Sequence, residues 1–454
     1  MNPLVQTLSI GANRSILDAV KCIEAGALQI AFVVAEDMRL LGVVTNGDVR
    51  RHLLQGGLTD QPVTTCMNQE FRSVRFGAPR EDLLKAFDLG HNALPGLDTE
   101  GRLVEVYTRQ MAASAEAPVL ARARAPVRMS FGGGGSDLTY YFVDNPAAVL
   151  SCTVGLYAHA TLIPRTDLKI RIFSEDLGTE EHYQNLNELL ATEHKSLLAT
   201  IVSVIKPRNG VDIYIRSDFP VGSGLGGSSA VTTAVIAAFN ELRQDRWSIY
   251  EVAELAFQAE RLCFGIAGGW QDQYASAFGG FNLIEFEQGR NVVHPIRLED
   301  AIRSELEECL VLCNTGISHD SGKLHVQQRE EMTSQQSKAA LLTESVVLCR
   351  QMHHHLIRGE LQKFGQQLHE VWMLKKRFSR GVSDNTLDRI YETACEAGAL
   401  GGKLLGAGGG GFFLFYVQPQ HRQALTRSVQ SLGCTISNFR FESSGVTSWR
   451  TKIQ

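Results

Sequence analysis

The residues from Gly222 to Ser229, GSGLGGSS, put four glycines and three serines into eight positions directly ahead of an apolar helical run, AVTTAVIAAFNELR. Glycine lets a backbone turn sharply and approach a ligand with no Cβ in the way. The free N–H groups at a helix start attract anions. The chemistry indicated is phosphate binding. Gly222, Gly224 and Gly227 also satisfy GxGxxG, but a dinucleotide fold needs a second strand bearing an acidic residue about 20 positions on. A second helical run, Ser248 to Phe264, stands in that place. A Walker-type loop fails too, because no lysine precedes Ser228 or Ser229.

Phosphoryl transfer also needs a metal ligand and a group that acts on the acceptor. Glu260 lies near the end of the second helical run, where a carboxylate gains nothing from the helix dipole. Asp272 follows twelve positions later in the glycine-flanked stretch GIAGGWQDQYASAFGG. Nearer the N-terminus, RAPVRMSFGGGGSDLTYYF carries Arg128 on a strand that runs into Gly132 to Gly135, then Ser136 and Asp137. Such a stretch reads either as a turn with Asp137 capping a helix or as backbone pressed against a polyhydroxyl ligand whose hydroxyls Asp137 accepts. A third glycine stretch, Gly406 to Gly411, precedes the strand FFLFY. Three such loops are hard to explain as turns alone. His353, His354 and His355 are consecutive on a helical run and point in different directions, so they are expected at its surface, not in a metal site.

The elements that must hold these groups belong to a chain of 454 residues, long enough for two or three domains. A content of 44% hydrophobic and 20% charged residues describes a globular protein, and a net charge of -5 gives no electrostatic case for nucleic acid or an anionic membrane. The nine cysteines are scattered singly and read as reduced thiols. The N-terminus lacks a basic start followed by an apolar run, and no stretch is long enough to span a membrane, so a cytoplasmic location is expected. An internal repeat fills the first part. The segment from Leu8 and a weaker echo from Ser73 each give a short strand, a helix (ILDAVKCIEAG; EDLLKAFDLGH) and two strands around a turn. The expected divisions are residues 1–112, a small-residue linker at 113–123, and two lobes at 124–305 and 306–454.

From about Arg124 onward, APVRMSFGGGGSD, PVGSGLGGSSA and KLLGAGGGGFF resemble, in order, the three motifs of the GHMP kinase superfamily. The resemblance implies an α+β protein: a lobe like domain 2 of ribosomal protein S5, then a ferredoxin-like C-terminal lobe. It implies ATP and Mg²⁺ as cofactors. The nucleotide phosphates would be wrapped by Gly222, Ser223, Gly224, Leu225, Gly226, Gly227, Ser228 and Ser229, with Mg²⁺ on Ser229 and Glu260. Asp272 falls at the acceptor-activating carboxylate and Arg128 at the charge-stabilising arginine. Gly134, Ser136, Asp137, Gly408 and Gly409 fall at the substrate. Within the superfamily, RAPVRMSFGGGGSDL, GGWQDQYASAFGG and GALGGKLLGAGGGGFFLF are most similar to D-glycero-D-manno-heptose 7-phosphate kinases, which act on the anomeric hydroxyl. The implied partner is a sugar phosphate.

Two positions depart from that pattern. Trp270 stands where a smaller or basic residue is expected, and His319 where a phosphate-binding arginine is expected. His319, Lys323, Lys375, Lys376 and Arg377 are the basic groups available for a sugar phosphate. A kinase for a fucose- or mannose-type sugar, and a catalytically silent nucleotide sensor, are the alternatives. The N-terminal repeat resembles a CBS pair through GVVTNGDVRR, which places Thr45 and Asp48 at an adenine-nucleotide ribose; in the second copy Met111 occupies the position of that aspartate. The pair is expected to be regulatory or to support a homodimer.

Overall fold

The computed structural model describes residues 3–26, 28–109, 119–317 and 337–452. The chain divides into two compact units, residues 1–117 and 118–454. In the first, strand Ser9–Gly11 pairs in parallel with Ile30–Val34, which pairs antiparallel with Leu40–Thr45. The echo repeats this arrangement: Val74–Arg75 lies parallel to Ala93–Leu97, which runs antiparallel to Leu103–Thr108. Both central strands are interrupted at the same place, between Val33 and Val34 and between Gly96 and Leu97. The unbroken apolar run IAFVV has a physical reason. Ala31 and Val33 face a core with Ile16 and Val44, while Phe32 and Val34 face a core shared with Leu103 and Val106 of the second copy. Both faces of that strand are buried, so alternation disappears.

The second unit begins with two long antiparallel strands, Val119–Gly132 and Ala147–Pro164. Residues 113–118 of the expected linker lie outside the described residues, and 119–123 are strand. There the small residues alternate, with Ala121 and Ala123 buried and Arg122 and Arg124 exposed. Small side chains suit a strand pressed against a helix and hide its period from a hydropathy reading. The sheet grows to nine strands. Phe441–Glu442 and Thr447–Lys452 return to pair with the two long strands, so the first lobe also takes in the end of the chain and the division at 306–454 is not contiguous.

The second lobe has a four-stranded antiparallel sheet in the spatial order Ala399–Leu404, Phe412–Val417, Leu310–Asn314, Thr435–Ser437. Helices precede Ala399–Leu404 and follow Phe412–Val417. Taken along the chain this is strand order 4-1-3-2, the ferredoxin-like arrangement. Among the described residues no helix is long and apolar enough to cross a membrane.

Candidate active site

Helix Gly227–Glu241 packs on both long strands and is buried along most of its length, which explains its alanine and threonine content. Its N-cap is Gly226 at φ 77°, and no side chain caps its first turn. That left-handed conformation favours glycine, and a Cβ there would come within 3.3 Å of the Arg128 guanidinium, a tight contact. Ser223 and the glycines of the loop face an open cleft, whereas Leu225 is fully buried and its carbonyl accepts the Arg128 backbone N–H.

The carboxylate nearest the helix start arrives from far along the chain. Helix Ile249–Phe257 continues into a π turn, Gln258–Cys263, that holds Glu260. Such turns insert an extra residue and recur where a side chain must be re-aimed. Glu260 is completely buried. Its two oxygens accept the hydroxyls of Ser228 at 2.5 Å and Ser229 at 2.6 Å. Gln273 Nε2 donates to Glu260 at 2.7 Å and to the Ser229 hydroxyl at 3.1 Å, while Gln273 Oε1 is buried without a donor among the described residues.

Asp272 sits in the first turn of helix Gln271–Phe278. Arg128 Nε donates to its Oδ1 at 2.8 Å, and Arg128 Nη1 to the Gly224 carbonyl at 2.6 Å. Strand Val119–Gly132, the glycine loop and the Asp272 helix therefore converge on one guanidinium. Asp137 is 1% exposed; it accepts the N–H groups of Gly135 at 3.0 Å and Gln271 at 3.1 Å. Burial, and then the nearby Asp272 charge, push its carboxyl above the usual range. A Cβ at Gly269 would lie 1.9 Å from Asp137 Oδ2, so this glycine is what lets the two loops meet.

Two cavities open on these groups. One is lined by Gly134, Asp137, Gln271, Lys375 and Lys403. The other runs along the glycine loop between Leu177, Leu197, Ile215 and Val231. They share Arg128, Asp272, Gly406 and Ala407.

Several expectations are corrected. Ser136 is fully buried and donates to the Gly133 carbonyl, bracing its own turn away from the cavity. Gly408 and Gly409 pack against Val382, and it is Gly406 and Ala407 that reach the cavity wall. Trp270 stacks on Phe257 at 3.6 Å and donates to the Thr139 hydroxyl, a packing role. Of the basic candidates, Lys375 donates to the carbonyls of Leu404 and Gly406, Lys376 pairs with Asp388 and Arg377 with Glu344. His319 and Lys323 lie outside the described residues, as does Met111. His353 is half-buried and His355 pairs with Glu360; among the described residues no acidic, histidine and cysteine cluster could hold a metal.

Sequence reasoning passed over Gln273, Arg261, Gly269 and Lys403. Lys403 is 3% exposed and donates to the carbonyls of Ser130 and Phe131 at 2.7 and 3.2 Å. Burial, and then Arg128, bring its ammonium down to about 7. The signal was its place inside KLLGAGGGG, one buried lysine in a run otherwise free of charge. In the N-terminal unit, Thr45 and Asp48 bond to each other: the Thr45 N–H and hydroxyl both donate to Asp48 Oδ2, closing a capping box on helix Asn46–Leu54.

Comparison with known proteins fits this geometry. The descriptions "GHMP kinases N terminal domain" and "GHMP kinases C terminal" match residues 191–280 and 352–433, and "CBS domain" matches residues 3–55. A D-glycero-alpha-D-manno-heptose 7-phosphate kinase of Campylobacter jejuni is 36% identical over 338 residues, covering 72% of this chain and 98% of that one. The chain belongs to the GHMP kinase family. Membership makes it a kinase, a phosphotransferase. A crystal structure of a D-glycero-D-manno-heptose 1-phosphate kinase from Bacteroides thetaiotaomicron superposes with a TM-score of 0.61 at 28% identity, covering 72% of this chain and 98% of that chain. Lactococcus lactis galactokinase, at 19% identity, TM-score 0.60 and coverage of 74% and 97%, shares the fold.

Proposed function

We propose that this GHMP kinase uses ATP and Mg²⁺ to phosphorylate the anomeric hydroxyl of D-glycero-D-manno-heptose 7-phosphate. The observation that carries the reading is the meeting of two cavities at Arg128 and Asp272. The apolar walls at Leu177, Leu197 and Ile215 suit a flat base, and the loop Gly222–Ser229 offers backbone and hydroxyl donors to phosphates. The other cavity offers Asp137, Gln271 and the Gly134 backbone to a polyhydroxyl acceptor.

The Glu260 cluster fits Mg²⁺. Its donors are hard oxygens, a carboxylate and two hydroxyls, and Gln273 Oε1 is a further oxygen to which none of the described residues donates. Bound there, the ion would neutralise phosphate oxygens and draw electron density from the bond that breaks. Asp272 would orient the acceptor hydroxyl and take up its proton as the oxygen bonds to phosphorus. An anomeric hydroxyl is more acidic than an ordinary alcohol, so a weak base suffices. Arg128 holds Asp272 in place and offers positive charge where the transferring group crosses between the cavities. The heptose kinases among the relatives support the acceptor assignment.

The test is ATP consumption by the purified chain with Mg²⁺ across heptoses, hexoses and their terminal phosphates. Selective turnover of the heptose 7-phosphate is expected. Turnover confined to an unphosphorylated fucose- or mannose-type sugar would keep the kinase and discard the heptose. Silence throughout, with and without AMP, would leave a nucleotide sensor.

A further inference from the structure

Arg261 has no role in the account above, yet it is built into the site. It follows Glu260 in the same π turn and its side chain is 7% exposed. Nη1 stands 3.2 Å from Glu260 Oε1, and Nη2 stands 3.6 Å from Asp272 Oδ2. The other oxygen of Asp272 takes Arg128, so that carboxylate lies between two guanidinium groups. Space for the fork is reserved: a Cβ on Gly268 would come within 2.7 Å of Arg261 Cζ. The residue also forms part of the wall of the cleft along the glycine loop.

The Nε donor stands apart. Arg261 Nε is buried and has no acceptor among the described residues. A buried donor without a partner is costly and in native structures calls for an explanation. Arg261 lines the cleft read above as taking nucleotide phosphates, whose oxygens are strong acceptors for a guanidinium.

We infer that Arg261 is a second arginine of the transfer site. It keeps Glu260 and Asp272 in register across the cleft, and its guanidinium, incompletely partnered by the described residues, donates to an oxygen of the γ-phosphoryl group of a bound nucleoside triphosphate. The inference rests on the kinase reading of the cleft and not on the acceptor sugar. In phosphoryl transfer, charge spreads over the equatorial oxygens, and an arginine placed there acts without forming a bond.

Full-length Arg261→Ala and Arg261→Lys test it. Calorimetry with Mg·AMP-PNP and Mg·ADP reads the contact directly, with no acceptor present. Arg261→Ala should weaken AMP-PNP at least about tenfold and leave ADP within about twofold. With whichever acceptor is turned over, kcat should fall at least about 10³-fold and recover in part on adding guanidinium ion. A parallel loss of both nucleotides would reduce Arg261 to a brace, and wild-type kcat in Arg261→Lys would overturn the need for its fork. Should Arg261→Ala fail to fold, Arg261→Lys carries the same pair of binding measurements. If no sugar is turned over at all, the nucleotide pair still decides the matter, so the acceptor assignment fails separately.

Discussion

Two helix starts in this chain carry the same chemistry, hydroxyl against carboxylate, and differ in where the carboxylate comes from. At Asn46–Leu54 it is Asp48, three residues from Thr45, and the two close a capping box that leaves both side chains accounted for by the helix itself. At Gly227–Glu241 it is Glu260, 31 and 32 residues away from its serines, completely buried, and the first turn has no side-chain cap. Local structure gains little from that second arrangement and bears the cost of burying a carboxylate. The contrast teaches how to weigh such pairs: a polar group that its own helix explains is by itself no sign of a ligand, whereas one brought from another element at a cost points to function.

The predictions bear on that contrast. Asp272→Asn removes the group where the cavities meet and should lower kcat at least about 10³-fold while ATP affinity, read by calorimetry, stays within a few-fold; loss of nucleotide binding instead would misplace its role. Glu260→Gln should lower kcat about 10²-fold or more and raise the Mg²⁺ concentration needed for half-maximal rate. An unchanged Mg²⁺ dependence would reassign the buried cluster to packing.

Lys403 tests the same idea through pH, since its carbonyl partners lie 272 and 273 residues away. Its ammonium falls from an ordinary value of 10.5 to about 7, so between those values the unfolded chain binds more protons than the folded one. Stability should therefore rise with pH through that window, by up to about 1.4 kcal/mol per pH unit. Relative to wild type, Lys403→Met should look best below pH 7 and lose that advantage towards pH 10 in urea unfolding. A gap that stays constant with pH would rule out the buried charge. The smallest effect is expected at Thr45→Ala, where loss of the cap should cost the N-terminal unit about 0.5–2 kcal/mol. The basal kinase rate should not change, while any response to added adenine nucleotide should be altered; an equal fall in basal rate would sink the regulatory assignment.

Much of this was legible along the chain, for identifiable reasons. The glycine loop, Glu260 and Asp272 advertise themselves by residue type and spacing, and the N-terminal repeat shows in its paired strand–helix–strand–strand pattern. The reading erred where side chains are small or glycines consecutive. Strand Val119–Gly132 reads as linker in its first residues, and Ser136, Gly408 and Gly409 read as substrate contacts although Ser136 braces its own turn and the two glycines pack against Val382. Nothing in a run of four glycines says which one faces a cavity, because each φ is set by the chain it packs against.

The sequence by itself determined the kinds of groups, their order, and the loops and helices that carry them, since these follow from local propensity and period. Only the tertiary structure decided which groups meet. Arg128 reaches Asp272 across 144 positions, Lys403 reaches Ser130 across 273, and Glu260 closes on serines of another helix. Those contacts depend on how two sheets and their helices pack, a property of the whole unit that no local window contains. Burial then fixes the charge state and partners of each group once it is there.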